Sequence, residues 1–514
     1  MKYLKTIRLG VSFLVFLWFV FCFVDFAGWI NATIAHVTRV QWLPAILAFD
    51  IPLLLFLLIT AFLFGRYYCS FLCPLGVLQD ISSRLAKQVH GKRKKHFRYR
   101  VSRAWLRWGI LTISVFLFAI GIPLLFTWLD PYSAFGRIST HIFRPAYLLG
   151  NNVLAFIFNS FGNYTFYPVE FDARSMVSLL TATATLLVVG VWSWFRGRGY
   201  CNTLCPVGTM LGLLNKFSLF KIRINEAKCN RCGACQNRCK ASCLNATTGS
   251  IDYSRCVNCF NCITACKQGA LTFAVPICKN KQHLGASASA PCQGVPSSKN
   301  DMDPSRRQFL LTAGLTLSAL PVLWAQHETG KNLRYRAPEA APIMPPGALH
   351  LKHFTAHCTA CHLCVSKCPQ KILQPALMEY GIEGMLQPRV VFNRGYCESN
   401  CKTCSDICPT GALRKLSRAE KRHEKIGEAR VTLKHCVITN EGYLCGACAE
   451  HCPNEAIQLE VQPNGLRVPS VITERCTGCG ACEFICPADP EKAIKVWAIH
   501  NIKKNITSNK EINQ

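Results

Sequence analysis

The chain has 514 residues, half of them hydrophobic, 17% charged and 32 of them cysteine, with a formal net charge of +30. That length predicts roughly three domains, and so apolar a composition excludes an ordinary soluble cytosolic enzyme. A disulfide-stapled secreted protein is excluded too, because such chains are short and these cysteines fall into Cys-x-x-Cys runs that read as metal sites. Twenty-four of the 32 form six runs of four. If each run corresponds to one 4Fe–4S unit of charge −2, the net charge drops to about +18. That is still basic, and where the charge sits decides among nucleic acid, anionic lipid and an acidic partner.

Four apolar stretches, at about 9–29, 43–64, 108–129 and 175–195, are each long enough to cross the ~30 Å hydrocarbon layer as a helix. They predict an α-helical membrane domain over residues 1–215. The loop after the second stretch carries Lys87, Lys92, Arg93, Lys94, Lys95, Arg98, Arg100, Arg103 and Arg107, whereas Asp50, Asp130, Glu170 and Asp172 lie near the opposite helix ends. By the positive-inside rule this loop and the N-terminus are cytoplasmic. Much of the positive charge is thereby topological, and no nucleic acid partner is expected. Residues 145–169, uncharged and holding Asn151, Asn152, Asn159 and Asn163, read as an interfacial or re-entrant segment on the outer side, because amides facing lipid are costly.

A repeat marks the ends of the second and fourth stretches. Gly65-Arg66-Tyr67-Tyr68-Cys69 with Cys73-Pro74 and Gly76 matches Gly197-Arg198-Gly199-Tyr200-Cys201 with Cys205-Pro206 and Gly208. Cysteines at i and i+4 of a helix share a face. Redox-active thiols, metal ligands, a docking surface and a duplicated structural turn all fit Cys69, Cys73, Cys201 and Cys205.

Residues 216–275 hold Cys229, Cys232, Cys235 and Cys239, then Cys256, Cys259, Cys262 and Cys266. This is bacterial ferredoxin spacing, in which three thiolates of one run and the fourth of the other close each cubane. A zinc site needs no third cysteine at this interval. Lys240 and Lys267 stand where the pattern places proline. Cys243 follows the first run closely and reads as a bystander thiol or, as the alternative, a substitute ligand. A Gly/Ala/Ser/Pro-rich linker is expected over 276–304. Ser305-Arg306-Arg307-Gln308-Phe309-Leu310 opens a moderately apolar segment, 305–325, that looks like a twin-arginine export signal serving as a fifth span. A proline-rich spacer, 326–350, leads to four further runs within 351–500: Cys358, Cys361, Cys364 and Cys368; Cys397, Cys401, Cys404 and Cys408; Cys436, Cys445, Cys448 and Cys452; Cys476, Cys479, Cys482 and Cys486. Each ends in Cys-Pro, and the last three are followed by short apolar steps (Gly411-Ala412-Leu413, Glu455-Ala456-Ile457, Lys492-Ala493-Ile494) that read as a strand or turn. Residues 501–514 form a tail. The expected fold class is an α-helical membrane domain plus α+β bacterial-ferredoxin-like 4Fe–4S domains, with six clusters whose metal does much of the work of a core.

Residues 1 to about 275, with four spans, paired Cys-x-x-x-Cys-Pro and two clusters, resemble NapH-type membrane ferredoxins. Residues from about 305 to 500, with the twin-arginine start and four runs, resemble NapG/MauM-type periplasmic ferredoxins. The chain looks like the two fused. The resemblance implies a quinol dehydrogenase component, oxidising menaquinol or ubiquinol and passing electrons to a periplasmic reductase or cytochrome, nitrate reductase systems being the family's usual client. It also implies that, among the four C-terminal runs, the outer two share ligands and the inner two share ligands. Quinol oxidation needs groups that take protons, and Asp25, Asp50, Asp130, His36 and His141 near the outer side of the spans are the candidates, since ionisable residues at membrane depth are functional candidates by default. No haem-attachment Cys-x-x-Cys-His is present; Cys361-His362 lacks the second cysteine. No Walker-type loop or Gly-x-Gly-x-x-Gly is found, and flavin is left open. Two other roles stay open beside electron transfer: an assembly factor for a metalloenzyme, with the Cys-x-x-x-Cys-Pro pairs as working thiols, and a redox-sensing membrane polyferredoxin.

Overall fold

A computed structural model describes residues 3–25, 36–89, 97–169, 176–275, 342–463 and 465–499. The linker 276–304, the twin-arginine segment 305–325, the spacer as far as residue 341, the tail, Lys92 to Lys95, Glu170, Asp172 and the His36 side chain lie outside the described residues.

Among the described residues, eight helices of eight residues or more carry the N-terminal part: α1 (Tyr3–Val24), α2 (Ile51–Phe64), α3 (Pro74–Val89), α4 (Ala104–Ala119), α5 (Pro131–Ile138), α6 (Arg144–Ser160), α7 (Met176–Arg196) and α8 (Pro206–Phe217). Among the described residues, α1 and α7 are long and apolar enough to cross a membrane, while α2 and α4 are apolar but shorter. The stretches expected to run unbroken over 43–64 and 108–129 are each interrupted. In the first, Trp42–Leu47 ends before Ile51, Phe49 takes a left-handed φ of 51°, and the Asp50 carboxylate accepts from the Leu53 amide at 3.3 Å. In the second, Gly121 turns the chain with φ 91° and Pro123, which has no amide hydrogen, precedes a separate helix, Leu124–Leu129. Residues expected to be re-entrant form α6 and an extended return. Asn152 exchanges two 2.8 Å hydrogen bonds with the Val169 backbone, and Asn151 donates to the Tyr167 carbonyl.

The chain divides into two compact units, to both of which α1, α2, α4 and α7 contribute. The first comprises 1–14, 55–115 and 192–328; the second comprises 15–54, 116–191 and 329–514. The first unit contains α3, α8 and one ferredoxin module. In that module β1 (Lys221–Ile224) pairs antiparallel with β4 (Leu271–Ala274), and β2 (Leu244–Asn245) with β3 (Ser250–Ile251). One cysteine run lies between β1 and β2 and the other between β3 and β4, each ending in a five-residue helix, Ala234–Arg238 or Asn261–Ala265.

The second unit contains two more modules of the same order. In one, the hairpin of β5 (Leu373–Pro375) and β6 (Pro388–Val390) joins the runs that start at Cys358 and Cys397, the outer strand pair is reduced to an Arg414 amide donating to Gly347, and Ile343 bridges instead to Val390 of β6. In the other, β7 (Gly427–Val431) pairs with β10 (Ile494–Ala498) and β8 (Ile457–Val461) with β9 (Arg467–Val471). The apolar steps after the last two runs open β8 and β10 as expected, whereas Gly411-Ala412-Leu413 is a turn with Gly411 at φ 74°. Strands of two to five residues bury little apolar surface, and the core around Ala429, Ile457, Val468 and Ile494 is completed by Cys436, Cys476, Cys482 and Cys486. Such cores depend on what the thiols hold. Oxidative removal of iron is accordingly expected to convert 342–499 from protease-resistant to protease-sensitive, with loss of its circular dichroism; an apoprotein that stays resistant would contradict this.

Candidate iron–sulfur centres and their surroundings

The tight Cys-x-x-Cys-x-x-Cys loop needs backbone that ordinary residues avoid. In four runs the residues on both sides of the second cysteine are left-handed: Arg231 and Gly233, Asn258 and Phe260, Ala360 and His362, Gly478 and Gly480. The two runs with a longer first gap do not need this turn, and Lys402 and Gly446, which follow their second cysteines, have φ of −124° and −130°.

The modules bring thiols together three from one run and one from its neighbour. Cys229, Cys232, Cys235 and Cys266 line one cavity, Cys239, Cys256, Cys259 and Cys262 a second, and Cys452, Cys476, Cys479 and Cys482 a third; Cys243 also lines the second, its sulfur 3.5 Å from that of Cys239. The same arrangement places Cys408 in the field of Cys358, Cys361 and Cys364, Cys368 in that of Cys397, Cys401 and Cys404, and Cys486 beside Cys436, Cys445 and Cys448. Each set fits a 4Fe–4S unit by donor type and by its three-plus-one origin. Backbone amides of Ala270, Ala456 and Ala429 donate to the sulfurs of Cys266, Cys452 and Cys476 at 3.2–3.4 Å. Burial pushes the Cys361 thiol up to about 12 and Cys397 and Cys448 to about 11, so bare thiols there stay protonated at neutral pH and iron must displace the proton. No group of three or more His, Cys, Asp or Glu side chains among the described residues is set to hold a single metal ion.

Family models with the descriptions "4Fe-4S binding domain" and "4Fe-4S dicluster domain" match residues 51–98 with 179–225 and residues 443–489, respectively. The methylamine utilization ferredoxin-type protein MauM of Methylorubrum extorquens is 37% identical over 198 residues, which cover 36% of this chain and 84% of that protein. The chain belongs to the NapG/MauM family of ferredoxin-type proteins. Ferredoxin-type NapG of Escherichia coli is 32% identical over 210 residues, covering 37% of this chain and 84% of NapG, and NapF of the same organism is 30% identical over 145 residues, covering 28% and 80%. No solved structure matches. The chain is thus a ferredoxin-type iron–sulfur electron-transfer protein with bacterial ferredoxin 4Fe–4S domains. One expectation drawn from the family resemblance is corrected. Among the four C-terminal runs, ligand sharing joins adjacent runs, first with second and third with fourth, because each short hairpin, β5–β6 or β8–β9, folds a run back onto the one before it.

Four of the five proton-handling candidates lie in the second unit close to the ligand loops at Cys358–Cys368 and Cys408. The Asp25 carboxylate pairs with Lys367 at 2.6 Å, both side chains buried, one residue before Cys368. Asp50 lines a cavity of about 300 Å³ with Arg39, Leu53, Cys408, Pro409 and Arg414. Arg39 donates to the carbonyls of Asp406 and Cys408. Asp130 caps α5 by accepting from the Ser133 amide at 2.8 Å and hydroxyl at 3.0 Å, leaves its other oxygen buried without a hydrogen bond, and lies in the field of Cys361. His141 Nε2 and His362 Nδ1 are 2.8 Å apart. His362 Nε2 faces the Leu386 carbonyl at 2.8 Å; a carbonyl only accepts, so this nitrogen carries the proton, Nδ1 accepts, and His141 Nε2–H donates. A Cβ on Gly136 of α5 would collide with the Cys361 carbonyl. The His36 side chain is outside the described residues.

In the first unit Cys69, Cys73, Cys201 and Cys205 are buried together and are not paired in disulfides. Beside them lies a network that sequence reasoning missed. The Asp80 carboxylate meets Arg198 at 2.8 Å, Lys240 at 2.5 Å and also Arg8. Burial opposes its charge, but Arg198, Lys240 and Arg8 outweigh that and hold the carboxyl far below its usual range. At Lys240 burial outweighs the pull of Asp80 and lowers the ammonium to about 8, whereas at Arg198 Asp80 prevails over burial. The one signal in the sequence is Lys240 itself, standing in place of proline. His362 and Lys367, each adjacent to a run cysteine, carry no comparable signal.

Two outcomes follow. Cys408→Ser is expected to remove or alter the centre held with Cys358, Cys361 and Cys364 and to spare the one with Cys397, Cys401 and Cys404, read by paramagnetic resonance of the reduced protein. Asp80→Asn removes the carboxylate that three buried cations meet and is expected to destabilise the first unit by about 3–5 kcal/mol, read by thermal unfolding. Because folding lowers the Asp80 pKa, its stabilisation is complete above the unfolded value of about 4 and is lost as pH falls below that toward the folded value.

Proposed function

We propose that this chain is a membrane-bound quinol dehydrogenase component of the bacterial inner membrane, a NapH-type membrane part fused to a NapG/MauM-type polyferredoxin, with six 4Fe–4S clusters. The reading rests on one observation above others: four ionisable residues of the outer helix ends, Asp25, Asp50, Asp130 and His141, gather around the ligand loops of the first C-terminal centre. When bound, clusters supply one-electron acceptors, which suits a quinol giving up two electrons and two protons. The cavity at Asp50 is of a size that takes a small-molecule headgroup, with Arg39 and Arg414 to hold an oxygen and the Asp50 carboxylate to accept a proton. His141 can hold a second proton as an imidazolium, which keeps its Nε2–H donated to His362 Nδ1 and leaves the His362 tautomer unchanged. Electrons then leave through the C-terminal centres to a periplasmic reductase or cytochrome.

A membrane setting is supported by large apolar side chains exposed along the helices, among them Phe13, Leu17, Phe56, Ile59, Phe116 and Leu187. On this reading the N-terminus and first ferredoxin module face the cytoplasm and residues 351–500 face the periplasm. The hydrogen-bonded return from α6 supports a segment that leaves and re-enters on one side. Burial of the Cys-x-x-x-Cys-Pro thiols argues against an assembly role in which they meet a client.

The test is anaerobic addition of menaquinol to the full-length protein, following cluster reduction by paramagnetic resonance. Rapid reduction is expected, slowed at least about tenfold in Asp50→Asn and in His141→Gln. Failure of menaquinol to reduce centres that dithionite does reduce would sink the proposal.

A further inference from the structure

The two Cys-x-x-x-Cys-Pro repeats form one pseudo-twofold site within the first unit. Arg66 of the first repeat donates from Nη2 to the carbonyl of Cys201 at 3.2 Å, and Arg198 of the second donates from Nη1 to the carbonyl of Cys69 at 2.6 Å. Gly76 and Gly208 leave room for these crossings, since a Cβ on either would meet the opposite guanidinium and a cysteine carbonyl. The sulfurs are supplied with donors in the same symmetric manner. The Gly76 amide donates to Cys73 at 3.4 Å and the Gly208 amide to Cys205 at 3.2 Å, each at the start of a helix, α3 or α8, of twelve residues or more. Gln79 donates to Cys201 at 3.1 Å. All four thiols are at most 4% exposed, and each lies in the electrostatic field of others in the set.

The charge around this set is unbalanced. Arg8, Arg66, Arg198 and Lys240 are buried, and Asp80 is the carboxylate that meets three of them. Arg66 Nε and Arg198 Nη2 are buried with no hydrogen-bond partner. Buried cations without counter-charge are strongly unfavourable, and two helix N-termini add further positive potential. Arg8 and Lys240 also face the ferredoxin centre at Cys259, but Arg66 and Arg198 lie on the four cysteines themselves; neutral thiols or a pair of disulfides would leave these two guanidinium groups with Asp80 alone, and anionic sulfur relieves them.

We propose that Cys69, Cys73, Cys201 and Cys205 bind, as thiolates, a further 4Fe–4S cluster at the junction of the two repeats, additional to the six held by the ferredoxin runs. A four-iron unit with four thiolates carries −2 and answers the excess of guanidinium charge. These four are also the cysteines present in the two segments, 51–98 and 179–225, that the 4Fe–4S binding domain model matches. A single ion is the poorer occupant, because the described residues offer no three ligands set closely enough for one. The site adjoins the neighbouring ferredoxin loop directly: Arg66 donates to the Ser254 carbonyl at 3.0 Å, Ser70 to the Val257 carbonyl and Arg8 to the Cys259 carbonyl at 3.4 Å. The extra cluster is thus placed to exchange electrons with the one held by Cys239, Cys256, Cys259 and Cys262.

The test counts iron, acid-labile sulfide, zinc and copper per chain in anaerobically purified full-length protein and in Cys69→Ser/Cys205→Ser. About 28 iron and 28 sulfide are expected in the parent, with a loss of about four of each in the double variant; the difference does not depend on how many run clusters are present. A double variant that keeps the parental iron and sulfide, or that loses zinc or copper instead, overturns the proposal, as do disulfides among the four cysteines in peptide mass spectra of the parent. Should the double variant not accumulate, Gln79→Leu keeps every ligand and removes one N–H donor to sulfur. It is expected to lower the midpoint potential of one paramagnetic centre and leave the others in place; no change in any centre overturns the proposal.

Discussion

A cubane that takes three thiolates from one loop and the fourth from another can form only if the chain folds back on itself, and much of this architecture follows from that requirement. The strands are too short to enforce the return by apolar burial. In each module a two-stranded hairpin performs it, and the second run closes over the first. This is why the pairing is between neighbours. A run separated from its partner by two others would need a long connection and a loop-closure cost that these hairpins avoid. Where the outer strand pair shrinks to a single hydrogen bond at Arg414, the module keeps its shape, which fits a framework set more by cluster ligation than by the sheet.

The same units set the electrostatics. Anionic sulfur centres permit cations at depths where they would otherwise be excluded, and the first unit uses this at Arg8, Arg66, Arg198 and Lys240. Asp80 neutralises only part of that charge, so the arginines are arranged as much for sulfur as for the carboxylate. Lys240 shows how a departure from a motif acquires meaning. Proline at that position would shape the turn after the fourth cysteine, whereas lysine gives up that rigidity and instead joins the ferredoxin loop to α3 by a buried ion pair.

Cysteine spacing makes the ferredoxin modules legible in the amino-acid sequence, because the interval between ligands is dictated by cluster geometry and varies little. Strand positions after Cys452 and Cys486 are legible for the same reason. Helix continuity is not. Over 108–129 no charge interrupts the hydropathy and over 43–64 Asp50 alone does; the breaks come from backbone conformation at Phe49 and Gly121 and from Pro123, to which an apolarity average is blind. Pairing among the C-terminal runs is also hidden, since four runs of near-identical spacing satisfy any partition. The residues around the centres are least visible. His362 signals nothing until His141, more than two hundred positions away, is placed against it, and Asp80 reads as a lone acid in a basic region until three cations converge on it.

The sequence poses a difficulty: clusters expected on two sides of a membrane with no haem-attachment Cys-x-x-Cys-His between them. On the proposed reading, the distribution of groups in the second unit removes the need for such a bridge. If quinol is oxidised beside Cys408, both products are dealt with locally. The protons are taken by groups at the outer helix ends, and the electrons enter a centre that belongs to the same module as the next one along. Oxidation there needs no passage through the first unit. The clusters of that unit are then free to serve another exchange, and their buried arginines, which favour the more negative oxidation state, suit centres that hold an electron more than centres that relay it quickly.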